Sequence, residues 1–264
     1  MSYRRIACLS TEAVETLYAL GAEDCIAGIS GFTTRPARAR VEKPKISGFS
    51  SSRIERILAV EPDLVIGFSD MQADICKELV GAGVEVHLFN QRDIAGILRM
   101  VRTLAALVNK QPEGERLADE LQQTVESVRE QARHWVMRPK VYFEEWNDPL
   151  ISGIGWVAEM ISIAGGLDAF PDLSVYPGAA QRIIADPDEV IRRAPDIIIG
   201  SWCGKKFRPE SLSGRPGWEA IPAVRDAMVF EIKSADILSP GPAAITEGLM
   251  QIAKLIRRWQ ERHG

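Results

Sequence analysis

The chain has 264 residues, of which 46% are hydrophobic and 26% are charged, and its mean hydropathy is −0.06. This composition is typical of globular proteins and excludes collagenous, disordered and multi-span membrane proteins. The 32 Lys and Arg residues against 36 Asp and Glu residues give a net charge of −4. Nucleic acid is therefore not expected as a partner, because no overall positive field attracts it.

The chain begins with a predicted strand over residues 6–9 and a predicted helix over residues 11–20. Ser10 and Thr11 stand at the helix start, where we expect a side-chain oxygen to cap backbone N–H groups. The same oxygens can contact an anionic group of a ligand. No apolar stretch of a secretory signal precedes the strand. As the sequence stands, it predicts a cytoplasmic protein, or a periplasmic or other extracytoplasmic one whose leader has been removed.

An internal repeat organises the rest of the chain. Residues 55–67 and residues 188–200 both read as a helix that ends at a Pro-Asp pair and is followed by a wholly apolar strand. Such runs without alternation are typical of parallel strands buried on both faces. The repeat predicts two α/β lobes of similar wiring, with further strands over 84–88, 141–143 and 229–232 and helices over 71–80 and 155–163.

The middle of the chain is predicted to be helical. Apolar residues recur at spacings of three and four over 94–108, and a second amphipathic stretch runs from Pro112 to Trp135. We expect an N-terminal α/β lobe over 1–111, a connecting backbone helix over 112–136 and a C-terminal α/β lobe over 137–264. The predicted fold class is α/β, with two Rossmann-like lobes of short, mostly parallel sheets joined by one long rigid helix.

The residues that follow the predicted strands indicate a binding site. Ligands of open α/β sheets bind beyond the carboxyl ends of the strands, so two such lobes predict a ligand held in the cleft between them. Core packing explains Phe49 and Phe68 as well as a ligand contact does. Trp202, with Ser, Cys, Gly and Lys neighbours, is hard to bury and favours a ligand contact. Aromatic rings suit a large, partly apolar ligand better than a bare ion.

The sequence offers little for catalysis or metal binding. Glu144 and Glu145 could form an acid/base pair, but neighbours on a continuing strand diverge, so we expect a polar cleft edge. The histidines at 87, 134 and 263 are too dispersed for a clustered metal site. The four cysteines form no C-x-x-C pair, and no nucleophile or phosphate-binding motif is present. We therefore expect no catalytic residue, no metal site and no intrinsic cofactor.

Several short segments point to one family: LSTEA at 9–13, LGA at 20–22, EPDLVI at 61–66, EW-x-DPL at 145–150, GWV-x-E-x-I-x-x-AGG at 155–166 and PGW at 216–218. Together with the lobe–helix–lobe organisation, they resemble the helical-backbone, class III substrate-binding proteins of ABC importers. The similarity extends, more weakly, to the cobalamin-binding branch. The resemblance implies a monomeric receptor that holds cobalamin, haem or a ferric siderophore and delivers it to an importer permease.

The resemblance also implies roles for individual residues. Aromatic rings of one lobe flank the corrin, and the other lobe faces the same cleft. By position, the ligand-binding residues are Phe49, Phe68, Ser69, Glu145, Trp146 and Trp202. Acidic residues at the lobe tips dock on importer arginines in this family, which implies Asp74 and Glu210 here.

Other functions stay open at the level of sequence. A cytoplasmic paralogue could act as an enzyme or chaperone in corrinoid or tetrapyrrole metabolism, with the loop of Glu144 and Glu145 as the source of its acid/base group. A receptor that has lost its ligand could serve in protein contacts alone. The ligand is also open, since Tyr176 could bind haem iron, although a Tyr-Pro-Gly turn explains that residue as well.

Overall fold

The computed structural model describes residues 2–263, and for Ser213 the backbone alone. The chain divides into two units. The first comprises the described residues up to Gln122 together with Pro240–Pro242, and the second comprises Gln123–Ser239 and the described residues from Ala243 onward. Each unit contains one sheet rich in parallel strands with helices around it, which confirms the predicted α/β class.

The sheet of the first unit is entirely parallel. Its spatial order is β3-β2-β1-β4-β5, with β1 at Ile6–Cys8, β2 at Ile26–Ser30, β3 at Lys45–Ser47, β4 at Leu64–Phe68 and β5 at Val86–Phe89. The helices are α1 (Thr11–Ala19), α2 (Ala39–Glu42), α3 (Ile54–Leu58), α4 (Ala73–Gly81) and α5 (Ile94–Leu107). The predicted strand over 84–88 begins two residues later than expected, and a 3₁₀ turn at Asp70–Gln72 replaces the first residues of the predicted helix over 71–80.

The sheet of the second unit is mixed. β6 (Lys140–Asn147) pairs in parallel with β9 (Ile197–Gly200), which pairs in parallel with β10 (Val229–Glu231). β7 (Leu150–Ser152) returns antiparallel along the end of β6, while β8 (Leu167–Asp168) pairs with its start. The helices are α7 (Gly155–Ile163), α8 (Pro171–Ser174), α9 (Asp188–Arg193), α10 (Glu210–Ser213), α11 (Pro222–Arg225), α12 (Ser234–Ile237) and α13 (Met250–His263).

The internal repeat has the same structural role in both units. Every residue of β4 and of β9 is buried, as apolar strands covered on both faces require. The Asp63 carboxylate accepts hydrogen bonds from the backbone N–H groups of Arg4 and Arg5 at 2.8 and 3.0 Å. The Asp196 carboxylate accepts one from Lys140 at 2.8 Å. In each unit the Pro-Asp pair therefore anchors the beginning of the neighbouring first strand.

A long helix, α6 (Gln111–Ala132), follows α5. The boundary between the two units falls inside α6, after Gln122. The assignment of 112–136 as a separate connecting element between lobes at 1–111 and 137–264 stays a prediction. None of the helices within residues 2–263 has the length and apolarity that crossing a membrane requires.

Candidate functional site

In the first unit, the loops at the carboxyl edge of the sheet meet at one side chain, Gln72. Its Oε1 accepts a hydrogen bond from the backbone N–H of Phe68 at 2.9 Å. Its Nε2 donates to the carbonyl oxygens of Leu9 and Phe49 at 3.2 and 2.8 Å. Gln72 is fully buried, so a single amide joins the loops that follow β1, β3 and β4. This role of Gln72 was not predicted from the sequence, because a lone glutamine carries no local signal.

Phe68 and Ser69 end β4 at this edge. The Phe68 side chain is 6% exposed, and the Arg92 guanidinium lies 5.2 Å from its ring centroid. Arg92 also forms a 3.3 Å ion pair with Asp70. Ser69 has φ of 67° and accepts a hydrogen bond from the backbone N–H of Met71 at 3.4 Å. The loop thus turns sharply after the strand, and the role of both residues in ligand binding stays a prediction.

Phe49 is half-buried in the loop between β3 and α3. A pocket of about 360 Å³ is lined by parts of β3, this loop and α3. The lining includes the cations Lys45, Arg53 and Arg56 and the serines Ser47 and Ser52. The hydroxyl oxygens of these two serines are buried without a hydrogen-bond partner among residues 2–263. The hydroxyls of Ser47 and Ser52 are therefore available to form hydrogen bonds with a ligand in this pocket.

The predicted capping role of Ser10 is wrong, and that of Thr11 stays a prediction. Ser10 occupies the position before α1 with extended backbone, but its side chain makes no capping hydrogen bond. The hydroxyls of Ser10 and Thr11 both bond to the buried carboxylate of Glu12, to which Thr11 Oγ1 donates at 3.3 Å. The reason is that Glu12 is withdrawn from water, and a buried carboxylate needs nearby donors.

In the second unit, β6 is longer than the sequence predicted. It continues through Asn147, so Glu145 and Trp146 lie in a strand and not in a loop. The predicted divergence of Glu144 and Glu145 is confirmed, since they bond to different partners. The long strand persists because β7 pairs with its far end, with Glu144 opposite Ser152.

Glu144 is fully buried and holds several donors together. Arg215 binds it in bidentate fashion at 2.6 and 2.8 Å, and Trp202 Nε1 donates to it at 3.1 Å. The Tyr142 hydroxyl donates to it at 3.2 Å. Burial raises the pKa of Tyr142, and the Glu144 charge raises it further, so this hydroxyl remains a donor. With both oxygens occupied, Glu144 is a structural anchor rather than an acid/base group.

Glu145 faces the other way. Arg182, whose side chain is 1% exposed, donates to its two oxygens at 2.6 and 3.1 Å. The same guanidinium also donates to the carbonyl oxygen of Ser152 in β7. The Trp146 indole is half-buried, and its Nε1 donates to the carbonyl oxygen of Asp148 at 2.8 Å. Glu145 and Trp146 thus belong to the ordered β6–β7 hairpin, and their contact with a ligand stays a prediction.

The expectation that Trp202 would be hard to bury is wrong. Its side chain is 5% exposed and packs edge-on against Phe207, with ring centroids 5.0 Å apart. It follows β9, whose last residue, Gly200, leaves room for the Phe207 ring. Even so, Trp202 lines a second-unit pocket of about 410 Å³. Packing in the core and exposure to a pocket are therefore combined in one side chain.

The remaining candidates lie elsewhere. Asp74 is exposed in the first turn of α4, and Glu210 is exposed at the start of α10. Tyr176 is partly exposed in the turn after α8. Within residues 2–263, no group of three or more His, Cys, Asp and Glu side chains is arranged to hold a metal ion.

The chain was compared with known proteins. A family model described as periplasmic binding protein matches residues 6–235. The chain belongs to this family. Among the curated members of similar sequence, the vitamin B12-binding protein of Vibrio parahaemolyticus is 24% identical over 250 residues, which cover 91% of this chain and 85% of that protein. An ABC transporter substrate-binding lipoprotein of Bacillus subtilis, YvrC, is 22% identical over 96% of this chain and 80% of its own length.

Solved structures of periplasmic binding proteins share the fold. The periplasmic haem-binding protein RhuT of Roseiflexus superposes with a TM-score of 0.83 at 22% identity, covering 98% of this chain and 100% of that one. The periplasmic vitamin B12-binding protein BtuF of Vibrio cholerae superposes with a TM-score of 0.79 at 20% identity, covering 98% of both chains. The class III architecture suggested by the sequence motifs is thereby confirmed.

Proposed function

We propose that this periplasmic binding protein is the substrate-binding component of an ABC importer, and that its substrate is a cobalamin-type corrinoid or another large metal chelate, such as haem or a ferric siderophore. The observation that carries the proposal is the family match over residues 6–235. Relatives named for vitamin B12 and for haem support this class of substrate.

The side chains at the carboxyl edge of each sheet are the proposed ligand contacts. In the first unit these are Phe49, Phe68 and Ser69, of which Phe68 ends a fully buried strand and is held in place through Gln72. In the second unit they are Glu145, Trp146 and Trp202. Rings that are already held in place lose little side-chain entropy when a flat ligand stacks on them.

The importer permease is the proposed protein partner. Asp74 and Glu210 each lie exposed at the beginning of a helix, where a carboxylate is accessible to a cationic partner surface. An ABC transporter lipoprotein among the relatives supports a transporter partner. We further propose that the protein is a monomer that works outside the cytoplasmic membrane.

The test is a calorimetric and absorbance titration of the purified protein with cobalamin, cobinamide and haem. We expect micromolar or tighter binding of one chelate, with one site per chain. Phe68→Ala and Trp202→Ala should each weaken that binding by about 1–3 kcal/mol, since each removes a stacking surface. Trp202→Phe keeps an aromatic ring if the alanine variant does not fold. Val136→Ala, at a side chain that is 97% exposed, is the control.

Absence of binding to all three chelates would overturn the proposed corrinoid and haem substrates. The alternative of an enzyme or chaperone gains no support from these relatives, which are named binding proteins. Its acid/base candidate, Glu145, is also held by both of its oxygens to the guanidinium of Arg182. Turnover of a corrinoid or tetrapyrrole that is lost in Glu145→Gln would be required to revive it.

A further inference from the structure

The pocket beside Trp202 is unusually rich in positive charge. Its lining includes four cationic side chains, namely Lys205, Lys206, Arg208 and Arg215, together with Trp202 and Asn147. We call it the basic pocket. It lies wholly in the second unit, its lining contains no acidic residue, and the chain around it has a net charge of −4. The charge of the basic pocket is therefore a local feature and not a consequence of overall composition.

Only one of the four cations is neutralised at close range. Arg215 is paired with the buried carboxylate of Glu144. Arg208 forms no ion pair with any residue in 2–263. Lys206 lies near enough to Glu231 to help lower the pKa of that carboxyl, but Lys233 is its direct partner at 2.6 Å. Three cationic side chains are thus left at the pocket without a bonded carboxylate.

Lys205 is oriented by uncharged groups. Its Nζ donates to Asn147 Oδ1 at 3.1 Å and lies 5.1 Å from the Trp202 ring centroid and 5.8 Å from that of Trp146. An ammonium group has three donors, so this arrangement holds the charge in place and leaves capacity for an acceptor. The indole N–H of Trp202 is already bonded to Glu144, so it is not available as a donor to a ligand.

The first unit also has a pocket with a positively charged lining at the edge of its sheet. Its pocket beside Phe49 is lined by Lys45, Arg53 and Arg56, again without an acidic residue. Like-charged side chains gathered in one pocket repel one another, and a bound anion relieves that repulsion. Charge-assisted hydrogen bonds to carboxylate or phosphate oxygens are also stronger than neutral ones.

Resting on the proposed function, we propose that the basic pocket binds a carboxylate or phosphate group carried by the substrate, so that this protein selects chelates that carry such a group. The carboxylates of haem and the nucleotide phosphate of cobalamin are two sources of that chemistry. Trp202 would contact the adjoining ring system while Lys205, Lys206 and Arg208 contact the anionic group. A neutral chelate of the same shape would lose these charge-assisted contacts.

The experiment compares chelates that carry a carboxylate or phosphate group with counterparts that lack it. Wild-type protein and the triple variant Lys205→Gln/Lys206→Gln/Arg208→Gln are titrated with haem, haem dimethyl ester, cobalamin and cobinamide, which lacks the nucleotide phosphate. Lys254→Gln, at an exposed position of α13, is the matched control. We expect the triple variant to bind the preferred chelate about tenfold more weakly or worse than the wild type does. Its affinity for the counterpart that lacks the anionic group should equal that of the wild type.

The pattern across chelates identifies the source of the anion. If the triple variant loses affinity for haem alone, the pocket binds carboxylates. If it loses affinity for cobalamin alone, the pocket binds the phosphate. The affinity of the wild type should fall as salt rises, and that of the triple variant should fall less. Equal dissociation constants for the wild type and the triple variant with every chelate would overturn the inference while leaving the proposed function intact.

A second measurement does not depend on any chelate. Inorganic pyrophosphate is titrated against ¹⁵N-labelled protein, and the indole resonance of Trp202, assigned with Trp202→Phe, is followed. We expect a saturable shift in the wild type and none in the triple variant. A wild type that binds none of these chelates but shows this shift would refute the proposed corrinoid and haem substrates and retain the anion site. An unmoved resonance in the wild type would refute the anion site.

Discussion

Glu12 is a carboxylate whose burial should make the stability of the protein depend on pH. It lies in the first turn of α1 with 3% of its surface exposed. One oxygen accepts from Thr11, while Oε1 has no hydrogen-bond partner among residues 2–263. Gly241 packs so closely that a Cβ added there would lie 2.5 Å from Glu12 Cβ. Burial raises the pKa of Glu12 to about 7, against the partial compensation of nearby hydrogen bonds.

The size of the effect of Glu12 on the free energy of unfolding follows from the difference in its proton affinity between the folded and the unfolded state. The reference pKa is 4.5 and the folded value is about 7, and each tenfold difference in proton affinity is worth about 1.4 kcal/mol. Below pH 4.5 both states hold the proton and no penalty exists. Between pH 4.5 and 7 the folded state holds the proton better, so the free energy of unfolding falls as the pH rises. Above pH 7 the full cost, about 3 kcal/mol, is present.

Glu12→Gln removes the charge and keeps the shape of the side chain. We expect the variant to be more stable than the wild type at pH 8, by up to about 3 kcal/mol, and equally stable at pH 4. Urea unfolding followed by circular dichroism across this range measures the difference. Glu55→Gln, at an exposed position in the first turn of α3, is the control. A difference that is constant with pH, or that grows toward acid, would refute the reasoning.

Three further substitutions test the packing of the candidate site by urea unfolding. Glu144→Gln leaves the Arg215 guanidinium without its bonded charge and should lower the free energy of unfolding by about 3–5 kcal/mol. A decrease below about 1 kcal/mol would contradict the anchoring role of Glu144. Gln72→Leu removes the hydrogen-bond partner of three backbone groups, two of them buried and one partly buried, and we expect the free energy of unfolding to fall by at least about 2 kcal/mol. Gly200→Ala places a Cβ 2.0 Å from an aromatic ring and should cost about 1–3 kcal/mol, whereas Gly81→Ala, with nothing within 4 Å, should leave stability nearly unchanged.

Local patterns predicted most of the sheet architecture. β4 and β9 were recognised from uninterrupted apolar runs because burial on both faces excludes polar residues from these strands. The helices over 11–20, 94–108 and 155–163 were recognised from periodicity and agree with α1, α5 and α7 within two residues. The end of β6 was missed, because Glu144 and Glu145 read as solvent-exposed residues until their buried partners are known.

The candidate site was predicted only in part. Phe68 and Trp202 were found because residues after parallel strands lie at the edge where ligands bind. For Phe68, core packing and ligand contact were equal alternatives, whereas the burial of Trp202 was missed, since it depends on side chains from other segments. The indole of Trp202 bonds to a carboxylate 58 positions earlier in the chain. The amide of Gln72 reaches the carbonyl oxygen of Leu9 across 63 positions.

By itself, the sequence determined the α/β class, the two repeated units and the strand ends where a ligand is expected, because these depend on hydrophobic periodicity and on neighbours within one turn or one strand. The tertiary structure alone decided which charges meet. It placed Arg215 on Glu144, 71 positions away, and left Lys205, Lys206 and Arg208 around the basic pocket. Spacing along the chain cannot specify such partners, since the free energy that selects them comes from burial and from geometry in three dimensions.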